Sequence, residues 1–198
     1  MPVVPEQRGL LVVGIGADQS GYALKEDIRT LLNGDPRVGE VCDFGVSTGE
    51  DPLPYPEIGL AVAERVGAGE LDRAILICGT GIGMAISANK VKGVRATVAY
   101  DRYSVERSVL SNDCQVLCLG GQVIMPEVAR RVVTDWLGYD FDPSSPSAAK
   151  IDLIRQYEQN DMRRPALHGG TGEYMFPRGP ARGAITPDHS LQRPNGPD

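Results

Sequence analysis

A cysteine at the end of an apolar run, followed at once by alternating glycines, is the part of this sequence best equipped for chemistry. The run is Ile75 to Ile77, the thiol is Cys78, and Gly79, Gly81 and Gly83 lead into a helical stretch. Glycines let the backbone approach a ligand closely and turn its amides toward it. A helix starting there adds the positive end of its dipole, which favours a bound anion and the charged thiolate of a nearby cysteine. A base and an anion cradle would then lie side by side. Spacing alone leaves a plainer reading open, in which Cys78 is a buried thiol closing a strand above a glycine turn. Two other readings fail on the residues present. Neither Gly79 to Gly83 nor Gly14 to Gly21 has the G-x-G-x-x-G spacing of a dinucleotide fingerprint. A cysteine phosphatase loop needs an arginine at the helix start, where Met84 and Ala85 stand.

Two further segments offer polar groups. Asp18 follows the first apolar run, with Lys25 one helical turn further on. It is placed either to grip a substrate hydroxyl or to cap the helix behind it. Pro54 and Pro56 flank Tyr55 and fix it in an extended loop before a helix.

These segments need a scaffold, and the hydrophobic pattern supplies one. Short β-branched runs at 10–15, 40–44, 73–78, 94–99 and 116–119 alternate with helical stretches at 22–32, 57–66, 83–89, 103–111 and 126–137, and a last helix covers 147–159. This rhythm predicts an α/β fold: a doubly wound, Rossmann-like parallel sheet of five strands with helices on both faces. Ligands of such sheets bind outside the carboxyl ends of the strands, so the loops after the strands are where chemistry is expected. After Asn160 the chain turns rich in Pro and Gly without hydrophobic periodicity. Residues 1–160 read as one domain, and 161–198 as a disordered tail or an arm that wraps a neighbouring subunit through Tyr174, Met175 and Phe176.

Composition narrows the partners. The formal net charge of −6 over 198 residues, with no basic stripe in the body of the chain, argues against nucleic acid. No apolar run approaches the length of a membrane span, and the first residues lack the apolar core of a signal peptide, so a cytoplasmic protein is expected. The four cysteines form no C-x-x-C pair and both histidines lie near the C-terminus, which speaks against a metal site. Three of the cysteines are expected to be plain buried thiols in strands.

The series Asp18, Gly21-Tyr22, Leu24-Lys25, Asp43-Phe44-Gly45, Tyr55-Pro56, Ile77 to Met84, Ala88 to Arg95, Tyr103-Ser104, Asn112-Asp113 and Gly120-Gly121 resembles the ribose-5-phosphate isomerase B and galactose-6-phosphate isomerase family. The resemblance covers roughly residues 11–159. It implies an aldose–ketose isomerase of sugar phosphates that passes through a cis-enediolate without metal or cofactor. It implies a homodimer, or a tetramer, in which each site is shared between two subunits. By similarity Cys78 carries the proton between C1 and C2 and Thr80 helps position the substrate. Backbone groups of Gly79, Gly81, Ile82 and Gly83 hold the enediolate oxygens, and Asp18, Tyr55 and Asn112 contact the sugar.

The departures from the family pattern bear on the substrate. Many members carry a histidine where this chain has Gln19, and a ring-opening histidine where it has Ser111. A serine hydroxyl does not exchange protons well near neutral pH. A pentose 5-phosphate closes a furanose through its free O4, whereas a tetrose 4-phosphate has O4 esterified and stays open. The sequence therefore favours an erythrose or erythrulose 4-phosphate type of substrate. The last helix also lacks the family's usual pair of arginines; Lys150 replaces one as a point charge, and Gln122 stands where a further arginine is expected. An unphosphorylated sugar is the competing substrate, ribose 5-phosphate the alternative within the family, and a non-catalytic sugar-binding protein the alternative class. A dehydrogenase is disfavoured by the missing fingerprint.

Overall fold

A computed structural model describes residues 9–159. The expected tail, 161–198, lies outside the described residues. Five strands form one fully parallel sheet in the order β2-β1-β3-β5-β4. They are β1 (Leu11–Ala17), β2 (Val38–Gly45), β3 (Arg73–Cys78), β4 (Ala96–Val98) and β5 (Val116–Gly120). The helices are α1 (Tyr22–Asn33), α2 (Tyr55–Gly67), α3 (Ile82–Ala88), α4 (Arg102–Leu110), α5 (Pro126–Leu137) and α6 (Ala148–Gln159). Among the described residues no helix is long and apolar enough to cross a membrane.

The sheet is covered on both faces, which is why its central strands read as unbroken apolar runs. Alternate residues still point to opposite sides. Ile75, Ile77, Leu117 and Leu119 meet Ile28, Val105, Val133 and Trp136 from α1, α4 and α5. Leu76, Cys78, Val116 and Cys118 meet Val62, Ala63, Met84 and Ala88 from α2 and α3. The chain first winds outward from β1 to β2, then reverses and builds β3, β5 and β4 on the other side. The reversal leaves the carboxyl ends of β1 and β3 side by side at a crevice. Asp18 follows one of these strands and Cys78 ends the other.

The expected strand over 94–99 shrinks to the three residues of β4, and side chains pair with backbone groups at its start. Asn89 Oδ1 accepts from Ala96 N–H at 2.9 Å and Gln115 Oε1 accepts from Arg95 N–H at 2.9 Å. Tyr55, expected in a loop, is the first residue of α2; Pro56 suits the opening turn, where its missing N–H has no helical partner to lose. The expected burial of three cysteines in strands holds for Cys118. Cys114 is buried in the connection before β5, and Cys42, in β2, is half-buried.

One polar network ties this end of the sheet together. Lys25 of α1 is 1% exposed, and its ammonium donates to both carboxylate oxygens of Asp43 at 2.8 and 3.0 Å and to the carbonyl of Val46 at 2.9 Å. All three of its donors are used. The bonds anchor the end of β2 and the start of the segment that delivers Tyr55. Lys25→Met should lower stability by about 2 kcal/mol, since Val46 loses its donor and Asp43 keeps only solvent and Arg29 for company. Thermal denaturation followed by circular dichroism should show a fall in Tm of roughly 6 °C.

Candidate active site

Cys78 closes β3, is 5% exposed and lines a cavity of about 400 Å³. Asp18, Tyr55, Gly79, Thr80, Ile82, Gly83 and Ile86 line the rest of that cavity. The loop below α3 is shaped by close backbone contacts. Gly81 sits at φ +75°, and a Cβ there would stand 3.0 Å from the carbonyl carbon of Leu119. This conformation and this spacing both require glycine. It lets Gly81 N–H donate to Cys78 Sγ at 3.1 Å. The segment after β5 braces the loop from the other side, with Gly121 N–H on the carbonyl of Cys78 at 2.8 Å and Gln122 N–H on that of Gly79 at 3.1 Å.

Asp18 takes the capping role and also stands where a substrate hydroxyl could be gripped. One carboxylate oxygen accepts from Gly21 N–H at 3.1 Å and caps the short 3-10 turn Gln19–Gly21. The side chain also lines the pocket, and a carboxylate has a second oxygen with which to accept. Tyr55 enters from the start of α2 with its ring over Gly83, where a Cβ would stand 2.5 Å from Cε2. The absent side chain at Gly83 therefore makes the seat for the ring.

The remaining expected residues lie elsewhere. Gln19 is exposed in the 3-10 turn beside the pocket and does not line it. Ser111 ends α4, where Arg107 donates to its hydroxyl at 3.4 Å, and Asn112 donates to the carbonyl of Arg107 at 3.0 Å. Because α4 runs back antiparallel to the strands, this turn lies at the amino end of the sheet. The register Ala74 to Val116 and Cys78 to Gly120 places Cys78 about 13 Å above the start of β5. Lys150 is exposed on α6, which reaches that same lower end through Arg155 on Asp113 and Glu158 on Gly93 N–H. One chain thus gathers Asp18, Tyr55, Cys78, Thr80 and the glycine loop, and holds Ser111, Asn112 and Lys150 apart from them.

A slightly roomier cavity, about 440 Å³, lies at the lower end among Arg73, Asp113, Asp140 and Arg155. Its arginines are engaged with carboxylates and backbone carbonyls, and its one thiol, Cys114, is pushed up by burial to about 11. Cys118 and Cys42 are raised as well, each mainly by burial. Among the described residues no group of three or more His, Cys, Asp or Glu is placed to hold a metal ion.

Two residues of the site went unread in the sequence. Ile86 lines the pocket one turn beyond Ile82, a spacing that a helix starting at Ile82 would have disclosed. Tyr100, just after β4, donates its hydroxyl to the carbonyl of Thr80. No local pattern marks that contact, because it joins two loops twenty residues apart.

The sequence matches the family described as Ribose/Galactose Isomerase over residues 13–154. The chain belongs to this family. Membership makes it an aldose–ketose isomerase, an intramolecular oxidoreductase. It is 54% identical over 148 residues to D-erythrulose-4-phosphate isomerase 2 of Mycolicibacterium smegmatis, covering 75% of this chain and 97% of that one. It is 43% identical over 149 residues to Ribose-5-P isomerase B of Listeria innocua, covering 75% and 98%. The solved ribose-5-phosphate isomerase B of Clostridium thermocellum superposes with a TM-score of 0.71 at 40% identity, over 76% of this chain and 99% of that one. The doubly wound five-stranded fold expected from the hydrophobic rhythm is the fold of these relatives.

Gly83→Ala tests the seat of Tyr55. The clash is with a half-exposed ring that can swing away, and alanine favours the helix, so Tm should change little. The KM for the sugar substrate should rise about fivefold as the ring leaves the pocket, with kcat nearly kept; steady-state kinetics decides.

Proposed function

We propose that this chain interconverts a four-carbon aldose phosphate and its ketose, erythrose and erythrulose 4-phosphate being the type, with Cys78 as the base. The observation that carries the reading is Cys78 in the lining of the pocket, with the Gly81 N–H donated to its Sγ at 3.1 Å. Starting from the aldose, the thiolate takes the proton from C2. The electron pair of that C–H bond becomes the C1–C2 double bond, and the carbonyl pair moves onto O1, giving a cis-enediolate. A proton passes from O2 to O1, the S–H returns its proton to C1, and the ketose carbonyl forms at C2. No atoms are gained or lost and no external oxidant is needed. Amides of the Gly79–Gly83 loop other than that of Gly81, which is on the sulfur, are the donors for the two oxygens as charge develops there. Thr80 and Asp18 hold the hydroxyls, with the ring of Tyr55 closing one side.

The carbon number is argued from the two positions where many members of the family carry histidine. Gln19 and Ser111 supply no group that titrates near neutral pH, so ring opening is poorly served. A tetrose 4-phosphate needs none. The M. smegmatis relative is named for a four-carbon ketose phosphate, which supports the same reading. Ribose 5-phosphate is the second reading, favoured by the name of the L. innocua relative.

The site is completed by a second copy of the chain. Ser111, Asn112 and Lys150 lie at the opposite end of the sheet from Cys78, so they reach a pocket only across an interface. The pocket rim carries exposed apolar side chains, Ile82 at 56% and Ile86 at 58%, and Ile154 is exposed beside Asn112. Such surfaces are suited to burial against each other. Lys150 then supplies one positive charge for the phosphate. A thiol kept free for catalysis fits a reducing compartment, the cytoplasm.

Three measurements test this. Cys78→Ala should fold, bind the sugar phosphate and lose about a thousandfold in turnover; retained turnover overturns the base. Tetrose 4-phosphate should be turned over substantially better than ribose 5-phosphate, and the reverse order overturns the substrate. Cys78→Ala and Asn112→Ala, each inactive alone, should regain about a quarter of full activity when subunits are mixed and allowed to exchange. No recovery in the mixture overturns the shared site.

A further inference from the structure

Tyr100 donates its hydroxyl to the carbonyl oxygen of Thr80. The other face of that same peptide unit is Gly81 N–H, which donates to Cys78 Sγ. A trans peptide is a rigid plane whose C=O and N–H point in opposite directions. A bond that fixes the oxygen therefore fixes the N–H. It also makes that N–H a better donor, because hydrogen bonds in series polarise one another. We propose that Tyr100 is a positioning residue for Cys78, holding the Gly81 N–H on the sulfur through the Thr80–Gly81 peptide and so favouring the thiolate.

Two further observations bear on this. Gly120 keeps the space open: a Cβ there would stand 2.8 Å from Thr80 and 2.9 Å from the Tyr100 hydroxyl. Tyr100 is held above the ordinary tyrosine range, first by burial and then by the neighbouring Cys78 and Cys118, so its phenol remains a donor at neutral pH and above. Without it, the plane is hinged at a glycine. Gly81 in the left-handed region has other conformations within easy reach, and the peptide can turn its N–H off the sulfur.

The proposal rests on Cys78 as the proton carrier, and its test separates the two. In the full chain, Tyr100→Phe removes the hydroxyl and keeps the ring; Tyr100→Leu removes both. Steady-state kinetics are measured beside the pH profile of iodoacetamide alkylation, read at Cys78 by peptide mass spectrometry so that the other thiols do not interfere. Tyr100→Phe should lower kcat about tenfold with KM within about twofold, move the Cys78 profile about one pH unit upward, and leave Tm unchanged. Tyr100→Leu should add little to the kinetic loss. An unshifted Cys78 profile in Tyr100→Phe overturns the proposal, as does a loss confined to Tyr100→Leu, which would mean packing by the ring. A shifted profile with unchanged kcat overturns it as a statement about turnover. If Cys78→Ala kept its turnover, the base would fall, and the alkylation shift would still report whether Tyr100 acts on the sulfur.

Discussion

Backbone lies directly against backbone where β3 and β5 end, and the rest of the site depends on that contact. Gly81 against Leu119 and Gly120 against Thr80 leave no room for a Cβ. The approach brings an amide to the sulfur of Cys78, draws the Tyr100 hydroxyl to the loop and sets the first turn of α3 under the pocket. A parallel sheet covered on both faces supplies the rigidity. Side chains on both sides of β3 are packed, so the strand end is held in place while the loop above it bends sharply.

The same sheet explains why the chain gathers most of its expected site and sets Ser111, Asn112 and Lys150 apart. Helices that cross from strand to parallel strand carry the chain back to the amino end every time. Whatever follows a helix is delivered to the lower edge, and whatever follows a strand to the upper. Asp18 follows a strand and Cys78 ends one. Ser111 and Asn112 follow α4, and are held there by Arg107 and by Arg95, whose guanidinium donates to the carbonyls of Asn112 and Asp113 at 3.1 and 2.9 Å.

Much of this was legible in the residues. The alternation of short apolar runs with amphipathic stretches specified the sheet, since buried parallel strands and their covering helices have distinct periods. Cys78 and its glycines were visible because strand, turn and helix follow each other directly in the chain. Tyr55 was misplaced because two prolines signal a turn equally well before a helix and at its first residues. The shortening of β4 was hidden, as were the side chains of Asn89 and Gln115, which pair with backbone at its start without belonging to a strand. Tyr100 was invisible for the same reason: its contact is set by strand order, and β4 lies beside β5 only in three dimensions.

If the site is shared between two copies as proposed, the partition between the two ends of the sheet has a consequence for how such an enzyme reports its own abundance. A pocket finished by a second copy has an assembly constant built into its rate law. Below that concentration, diluting the protein twofold removes more than half of the flux, and above it flux follows the amount of chain in simple proportion. Substrate bridging both halves would pull such an assembly together, so that the threshold would fall as substrate accumulates. A site shared as proposed would make turnover sensitive to expression level at the low end, without any dedicated regulatory domain.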